Sequence, residues 1–586
     1  MCDRTDNPAE AASKVTLEKV FTAIDDRTNF RLEAGAGAGK TYSLIEALKY
    51  LINKSYNDFI SKDMKIACIT YTNVAKNEIN DRTDNNPIVL AETIHAFSWS
   101  LIKHFQKQML LLIPELTEKW KTRIEEFGGI SNQKVDYDLG YPAISETTIT
   151  LHHDDVIRLM TKLLGYQKFK DILRNKYPVI FIDEYQDTNI DLAEAIVTNL
   201  IESDEHVLIG LFGDHWQKIY GNVACGLIKS PSGKLIEIGK EANFRSDKNI
   251  VQLLNRMRPE LPQNEKDPDS EGIIIAFHSN SWQGERMQGS HWKGDLPSLV
   301  VNEYLEKVKA HLNDEGWDIS SYNTKILMLT NNLIATQQGY KDLASCFRDN
   351  DDYLKLGDPY LKFFKEVLEP LNQAFIDEKY GDLFEIVGRG SFLFKKQGDK
   401  AQWNNDLKRV SQLRLTGTIG EIIRLLKETR KPRLSPKVEE YEELFAKFDS
   451  FDENKKDKHR ERFNRINKLK DIPYKEVIDL SRYIDDKTPF STNHGVKGAQ
   501  FENVIIVCGR GWNQYNWNQM LEWFDGNYPS ERFDSFERNR NLFYVGCSRA
   551  KKRLAVIFTQ ELSTSALAQL ERIFLPDNIY SLSDLD

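Results

Sequence analysis

The stretch Ala34-Gly35-Ala36-Gly37-Ala38-Gly39-Lys40-Thr41 constrains the fold of this chain more than any other. Glycines let the backbone turn successive N–H groups inward around an anion, and a helix opening directly after them adds the positive end of its dipole. Lys40 supplies a mobile charge and Thr41 a hydroxyl. The loop therefore reads as a phosphate cradle in which Lys40 reaches the β- and γ-phosphates and Thr41 ligates Mg²⁺. The general pattern begins with glycine where this chain has Ala34, a small residue that still fits. The loop follows a strand-like run, Phe30-Arg31-Leu32-Glu33, which sets the expectation of an α/β fold.

Short apolar runs extend that expectation. Lys65–Thr70, Val179–Ile182 and Val207–Phe212 read as buried parallel strands, and a second set follows at Lys325–Thr330, Val504–Val507 and Leu554–Phe558. Two α/β domains are expected, with two helical blocks rich in charge inserted at 101–171 and 346–485. A chain of 586 residues is long enough for several domains of ordinary size. No internal repeat stands out, and Glu453-Asn454-Lys455-Lys456-Asp457-Lys458-His459-Arg460 is the nearest thing to a flexible link.

Composition excludes some classes. With 40% hydrophobic and 28% charged residues, the balance is that of a soluble globular protein. No stretch approaches the roughly 18 uncharged apolar residues of a membrane span, so no membrane partner is expected. The start, Met1-Cys2-Asp3-Arg4-Thr5-Asp6, lacks the basic and apolar segments of a secretory signal, and the expected location is the cytoplasm. Six cysteines stand singly, without the spacing of a zinc site or a disulfide scaffold. A net charge of -9 argues against binding nucleic acid over the whole surface. Residues 391–470, however, hold 21 Lys and Arg against 13 Asp and Glu, a net of +8, which suits either a phosphate-contacting face or a solvated helical surface.

Asp183 and Glu184 close the apolar run Val179–Ile182, where carboxylates meet phosphates at the C-terminal edge of a parallel sheet. Asp183 suits a magnesium ligand and Glu184 the group that polarises water attacking the γ-phosphate. The longer run Asp183-Glu184-Tyr185-Gln186-Asp187-Thr188 resembles the second motif of the superfamily 1A helicases related to UvrD, Rep and PcrA. The rest of that family's series follows in order. Ala34–Thr41 resembles motif I, Ile69–Ala75 motif Ia, and Thr93-Ile94-His95 the DNA-contacting motif after it. Gly213–Tyr220 resembles motif III, Asn243–Ser246 motif IV, and Ile326–Asn331 the strand that follows. Asn493–Gly498 resembles motif V and Asn541–Ala550 motif VI.

The resemblance implies two RecA-like P-loop domains, parallel sheets flanked by helices, with two mainly helical insertions. Residues 1–100 with 172–246 would form domain 1A, 101–171 insertion 1B, 247–345 with 486–586 domain 2A, and 346–485 a basic insertion 2B. ATP and Mg²⁺ would sit between the RecA-like domains. Arg245 and Arg549 stand where the family contacts the γ-phosphate, Gln217 where it bonds that phosphate and its attacking water, and Phe244 where an aromatic stacks on adenine. Tyr42, Gly498 and Gln500 fall at nucleotide-side positions. Tyr71 and Tyr220 would contact bases, Thr93 and His95 the backbone, and Asn73 and His494 the same track.

Departures from the family's pattern are few. Val15 to Phe30 contains no glutamine to read the adenine edge, Tyr42 replaces an arginine, and Gln500 replaces a glutamate that meets the ribose. Asn222 replaces a stacking tryptophan and Val223 an arginine, with Trp216 or Trp99 as substitutes for the lost platform. The resemblance implies a motor that moves 3′ to 5′ on single-stranded DNA or 3′-tailed duplex, although stacking and phosphate contacts alone leave the sugar unread. In size and layout the chain also resembles the UvrD-like component of Gabija-type phage defence. That likeness implies a second role, an ATP- and DNA-sensing subunit that gates a partner nuclease or other effector with little unwinding of its own.

Overall fold

A computed structural model describes residues 7–138, 142–219, 221, 223–289, 292–329, 331–387, 398–492, 495–510 and 515–585. Two compact units emerge: Met1–Leu296 with Val496–Asp586, and Pro297–Gly495.

The first unit is organised by a six-stranded parallel sheet. Its strands are β1 (Asn29–Ala34), β2 (Ile66–Thr70), β3 (Val89–Thr93), β4 (Val179–Asp183), β5 (Leu208–Gly213) and β6 (Leu235–Lys240), in the spatial order β3-β2-β4-β5-β1-β6. Their apolar runs are continuous because both faces are covered. Val179 and Phe181 of β4 enter one core with the helix Lys40–Ser61, while Ile180 and Ile182 enter the other. Crossing from β1 to its neighbours β5 and β6 leaves the C-terminal ends of β1, β4 and β5 side by side, which is where the phosphate loop and the Asp183-Glu184 pair emerge. A further parallel set in the same unit comprises β7 (Ile273–His278), β8 (Phe501–Cys508), β9 (Ala550–Phe558) and β10 (Ile579–Ser581), ordered β8-β9-β7-β10.

The block 101–171 is less purely helical than its composition predicts. The helices Gln106–Leu112, Glu118–Phe127, His153–Leu163 and Gln167–Lys176 surround a three-stranded sheet of Lys134–Tyr137, Ala143–Ile144 and Thr148–Leu151. Val135, Ile149 and Leu151 alternate inward and are fully buried, a period-2 pattern too short to stand out among the charges. This block also has no separate core: its Phe105, Trp120 and Leu159 join Ile180 and Ile182 of β4 in one cluster.

The second unit carries the parallel pair Thr324–Met328 and Phe490–Thr492, and its other regular elements among the described residues are helices. Arg414 and Glu369 form a two-armed ion pair there, with Tyr474 donating to the same carboxylate. Residues 453–460, expected as a link, are the first turns of the helix Glu453–Lys470. Asp452 caps it, and Glu453 is flanked by Lys456 at 3.4 Å and Arg460 at 3.3 Å, so charges that suggest disorder instead pair along one helix face. Among the described residues no helix is long and apolar enough to cross a membrane.

What fixes the sheet's working edge is a buried charge network. Glu33 on β1 and Asp214 after β5 are 1% and 0% exposed. Arg258 bridges them at 3.3 and 2.6 Å, while Arg31 and His215 each lie 3.0 Å from Glu33 and Tyr185 donates to it. Burial alone would raise the Glu33 carboxyl, but His215, Tyr185 and Arg258 outweigh it and hold it at about 2, below its ordinary 4.5. The folded state is therefore favoured above the ordinary value, and that contribution is lost as pH falls toward the depressed one. Arg258→Met leaves two carboxylates buried without their bridge, and the expected loss is about 3–5 kcal/mol. A urea-unfolding midpoint equal to that of the unmodified chain would contradict this.

Candidate functional site

The helix Lys40–Ser61 begins without a side-chain cap. Thr72 and Thr93 cap the next two helices of the sheet, but here the capping position is Gly39 in the left-handed region at φ 72°, leaving first-turn N–H groups for an external acceptor. Gly37 is also left-handed, at φ 78°, and a Cβ there would stand 2.6 Å from Asn243 Oδ1. Asn243 explains that closeness. Its Nδ2 donates to the Ala36 carbonyl at 3.1 Å, and its Oδ1 accepts from the N–H groups of Arg245 and Ser246 at 2.9 and 3.0 Å. The Phe244 N–H donates to the Gly37 carbonyl at 2.9 Å.

Lys40 Nζ lies 2.7 Å from Glu184 Oε2, and the Gln186 amide donates to the same oxygen at 2.6 Å. Burial alone would lower Lys40, but Glu184, Asp183 and Asp214 raise it overall. Burial pushes the Asp183 carboxyl up, and the neighbouring Glu184 adds to that push. Burial would also raise Glu184, but Lys40 and Lys497 outweigh it and hold that carboxyl below the ordinary range. Glu184 takes a left-handed backbone at φ 49°, unusual for a residue with a Cβ and a form of strain that clusters at working sites. Gln217 is held from behind, its Nε2 donating to Asp214 at 2.8 Å.

Two arginines complete the cleft. Arg245 donates to the Ser548 carbonyl at 2.7 Å and to Gln500 Oε1 at 3.3 Å. Arg549, 1% exposed, donates to the carbonyls of Val545 and Ala499 at 2.9 and 3.2 Å and to the Ser548 hydroxyl at 2.8 Å. Among the described residues neither guanidinium has a carboxylate partner. Burial and then Arg245 pull Arg549 down to about 9. Two guanidiniums that face one cleft without a carboxylate partner suit an anionic ligand there. The cleft encloses 360 Å³ and is lined by Gly35, Gly37, Ala38, Gly39, Lys40, Thr41, Tyr42, Glu184, Gln217, Phe244, Arg245, Gly498, Gln500 and Arg549, together with Arg82. Ala34 and Ala36 lie buried just behind it.

A groove of 700 Å³ opens on the other side of the same strand ends, lined by Tyr71, Thr72, His95, Asp154, Arg158, Asp187, Asn189 and Val223 among others. The Tyr71 hydroxyl donates to Thr188 Oγ1 at 2.7 Å, which fixes the ring at the groove wall. His95 stacks on His153 with ring centroids 3.3 Å apart, and burial followed by His153 pulls it down to about 4, so it is neutral at physiological pH.

Residues 17–222 match the AAA domain family, and residues 300–561 match the UvrD-like helicase C-terminal domain family. The chain is 25% identical to the Gabija protein GajB of Bacillus cereus, over 94% of this chain and 95% of that protein. It is 24% identical to the ATP-dependent DNA helicase Rep of Buchnera aphidicola over 90% of each chain. The same identity to the ATP-dependent DNA helicase PcrA of Staphylococcus aureus covers 42% of this chain and 39% of that one. The chain belongs to the UvrD-like superfamily 1A helicases. Its parallel sheets flanked by helices are those of RecA-like domains, and its class is that of ATP-hydrolysing DNA helicases.

In this UvrD-like helicase most of the nucleotide-side residues expected from sequence line one cleft, Asp183, Ala34 and Ala36 being buried and outside its lining, whereas the nucleic-acid set is split. Tyr71 and His95 line the groove, Asn73 is exposed at the start of the helix Asn73–Arg82, and Thr93 caps the helix Ile94–Ile102 through its hydroxyl. Tyr220, His494 and Asn222 lie outside the described residues. Trp216 does not replace the missing stacking platform, because it is 5% exposed with Arg540 3.9 Å over one ring and Tyr544 against it. Trp99 packs toward Tyr137 at 5.8 Å. Sequence reading missed Asn243, Tyr544, whose hydroxyl accepts from the Ala36 N–H at 3.3 Å, and Lys240 at the end of β6. The first two lay inside matched motifs; Lys240 lay just outside one.

Gly37→Ala tests the loop's close packing. A methyl group at a left-handed position and within contact of Asn243 costs about 1–3 kcal/mol of local strain, so ATP affinity is expected to fall by about tenfold or more. Titration with a fluorescent ATP analogue reads this, and unchanged affinity would show that the loop can open away from Asn243.

Proposed function

We propose that this helicase is an ATP-driven motor that moves 3′ to 5′ along single-stranded DNA and separates 3′-tailed duplex. The observation that carries the reading is the pair of guanidiniums without carboxylate partners, Arg245 and Arg549, in the cleft that also holds Lys40 and Glu184. Lys40 and the N–H groups of the loop hold the β- and γ-phosphates, and the two arginines meet the charge that spreads over the γ-phosphoryl group as it transfers. Glu184, kept ionised by Lys40, accepts the proton of the attacking water, and Gln217, anchored on Asp214, orients that water. Thr41 and Asp183 offer hydroxyl and carboxylate oxygens, the hard donors that Mg²⁺ takes, and the raised Asp183 carboxyl marks a place where a cation is needed to keep it ionised. Held by Thr41 and Asp183, Mg²⁺ would supply positive charge against the phosphate oxygens. Phe244 serves the base, and Tyr71 and His95 serve the strand in the groove, where stacked bases contribute roughly 1–3 kcal/mol each. In this reading 1–100 with 172–246 and 247–345 with 486–586 act as the two RecA-like halves.

Likeness to the Gabija protein over nearly the whole length of both chains favours a second reading, in which this subunit senses ATP and DNA and gates a partner nuclease. Co-purification from the host, followed by strand displacement with the isolated chain, separates the readings: robust displacement without a partner counts against the gate.

Steady-state ATPase with and without single-stranded DNA tests the motor. Strong stimulation is expected in the unmodified chain, with kcat reduced by more than about 10²-fold in Lys40→Ala and Glu184→Gln. DNA-independent turnover would sink the reading, and preferential opening of 5′-tailed duplex would reverse the assigned polarity.

A further inference from the structure

Lys240 ends β6 beside the phosphate loop with its side chain fully buried. Its Nζ donates to the Gly39 carbonyl at 3.2 Å and to the Ser43 hydroxyl at 2.6 Å. The same ammonium lies 5.5 Å from the ring centroid of Tyr42 and 5.8 Å from that of Phe244. Tyr42 and Phe244 both line the nucleotide cleft. Among the described residues Lys240 has no carboxylate partner, an expensive arrangement for a buried cation and one that structure alone does not require. Burial draws it down to about 8, which leaves it mostly protonated at neutral pH.

The neighbours of this charge divide into two kinds. Gly39 and Ser43, in the phosphate loop and the first turn of the helix it opens, offer oxygen acceptors, while Tyr42, in that same turn, and Phe244 offer rings that line the cleft. A cation against an aromatic face is attracted by the ring's quadrupole and draws electron density toward itself, which leaves the opposite face better suited to stack on an electron-rich purine. Ordinary packing of a lysine stem does not call for two rings around the ammonium itself.

We propose that Lys240 is a positioning residue for the nucleotide base, joining the Tyr42 and Phe244 rings to the phosphate loop so that base and triphosphate bind as one rigid ligand. This rests on the ATP site proposed above and assigns the base-side role left open where the sequence lacks an adenine-reading glutamine and carries Tyr42 in place of an arginine.

Lys240→Met keeps length and apolar bulk and removes the charge. Competition against a fluorescent ATP analogue, with Mg²⁺ and single-stranded DNA present, compares ATP with inorganic tripolyphosphate, which has no base. Affinity for ATP is expected to fall about tenfold while that for tripolyphosphate stays within about twofold, and KM for ATP is expected to rise with kcat nearly unchanged. Equal loss for both ligands, or a fall in kcat at constant KM, overturns the proposal in favour of a purely structural brace on the loop. No loss for either overturns it as well. A variant that does not fold loses both ligands and counts as the brace. If the unmodified chain binds neither ATP nor tripolyphosphate, the ATP site itself is misassigned, a failure distinct from that of Lys240.

Discussion

One side-chain amide holds the nucleotide cleft in register. Asn243 bonds the phosphate loop through Ala36 and turns the following residues so that Phe244 and Arg245 enter the cleft. Gly37 has no Cβ because that amide occupies the space one would need, and glycine adopts its left-handed backbone at the least cost. The loop is thus shaped from outside as much as by its own glycines. The Asn243 amide, the Tyr544 hydroxyl and the Phe244 N–H each bond the loop's backbone and limit how far it can rearrange.

Three arginines around the cleft and the network behind it differ in what they bond. Arg258 is buried against Glu33 and Asp214, and those carboxylates raise its already high affinity for a proton despite burial. Removing it strands two charges, so its work is structural. Arg245 and Arg549 are also shielded from water, yet they bond only carbonyls, a hydroxyl and an amide, and burial lowers both. Neutral acceptors satisfy donors without cancelling charge. The fold tolerates the residual cost where the site gains a preorganised field for a phosphate.

The parallel core was legible because buried strands leave uninterrupted runs such as Val179–Ile182, and the nucleotide site because its residues recur at the strand ends that a parallel sheet brings together. Strands with a mixed pattern were not legible. Leu235–Lys240 alternates at the sheet's edge and Val89–Thr93 ends in polar residues, so neither shows the apolar run that betrays a central strand. The small sheet in 101–171 was hidden by charge, and the helix Glu453–Lys470 by the near absence of buried positions, with only Ile466 and Leu469 buried. Lys240 carries no signal in sequence, since its meaning comes from the Gly39 carbonyl and the Tyr42 ring some two hundred positions away, which fold against it beside the nearby Phe244 ring.

The cleft and the groove are joined by a single short turn. Glu184 bonds Lys40 on one side of it, while Asp187 and Thr188 face the other, where Thr188 accepts from the Tyr71 hydroxyl and Asp187 lies 2.6 Å from Lys497. Lys497 in turn begins a segment whose Ala499 carbonyl accepts from Arg549 and whose Gln500 accepts from Arg245. Both arginines and the groove therefore hold the same few residues, 497 to 500, from opposite ends. Buried ion pairs and hydrogen bonds of this kind have discrete arrangements and do not stretch, so a phosphate that draws the arginines inward competes directly with their bonds to that segment. The energy available for such a shift is that of ligand contacts made in one arrangement and not the other.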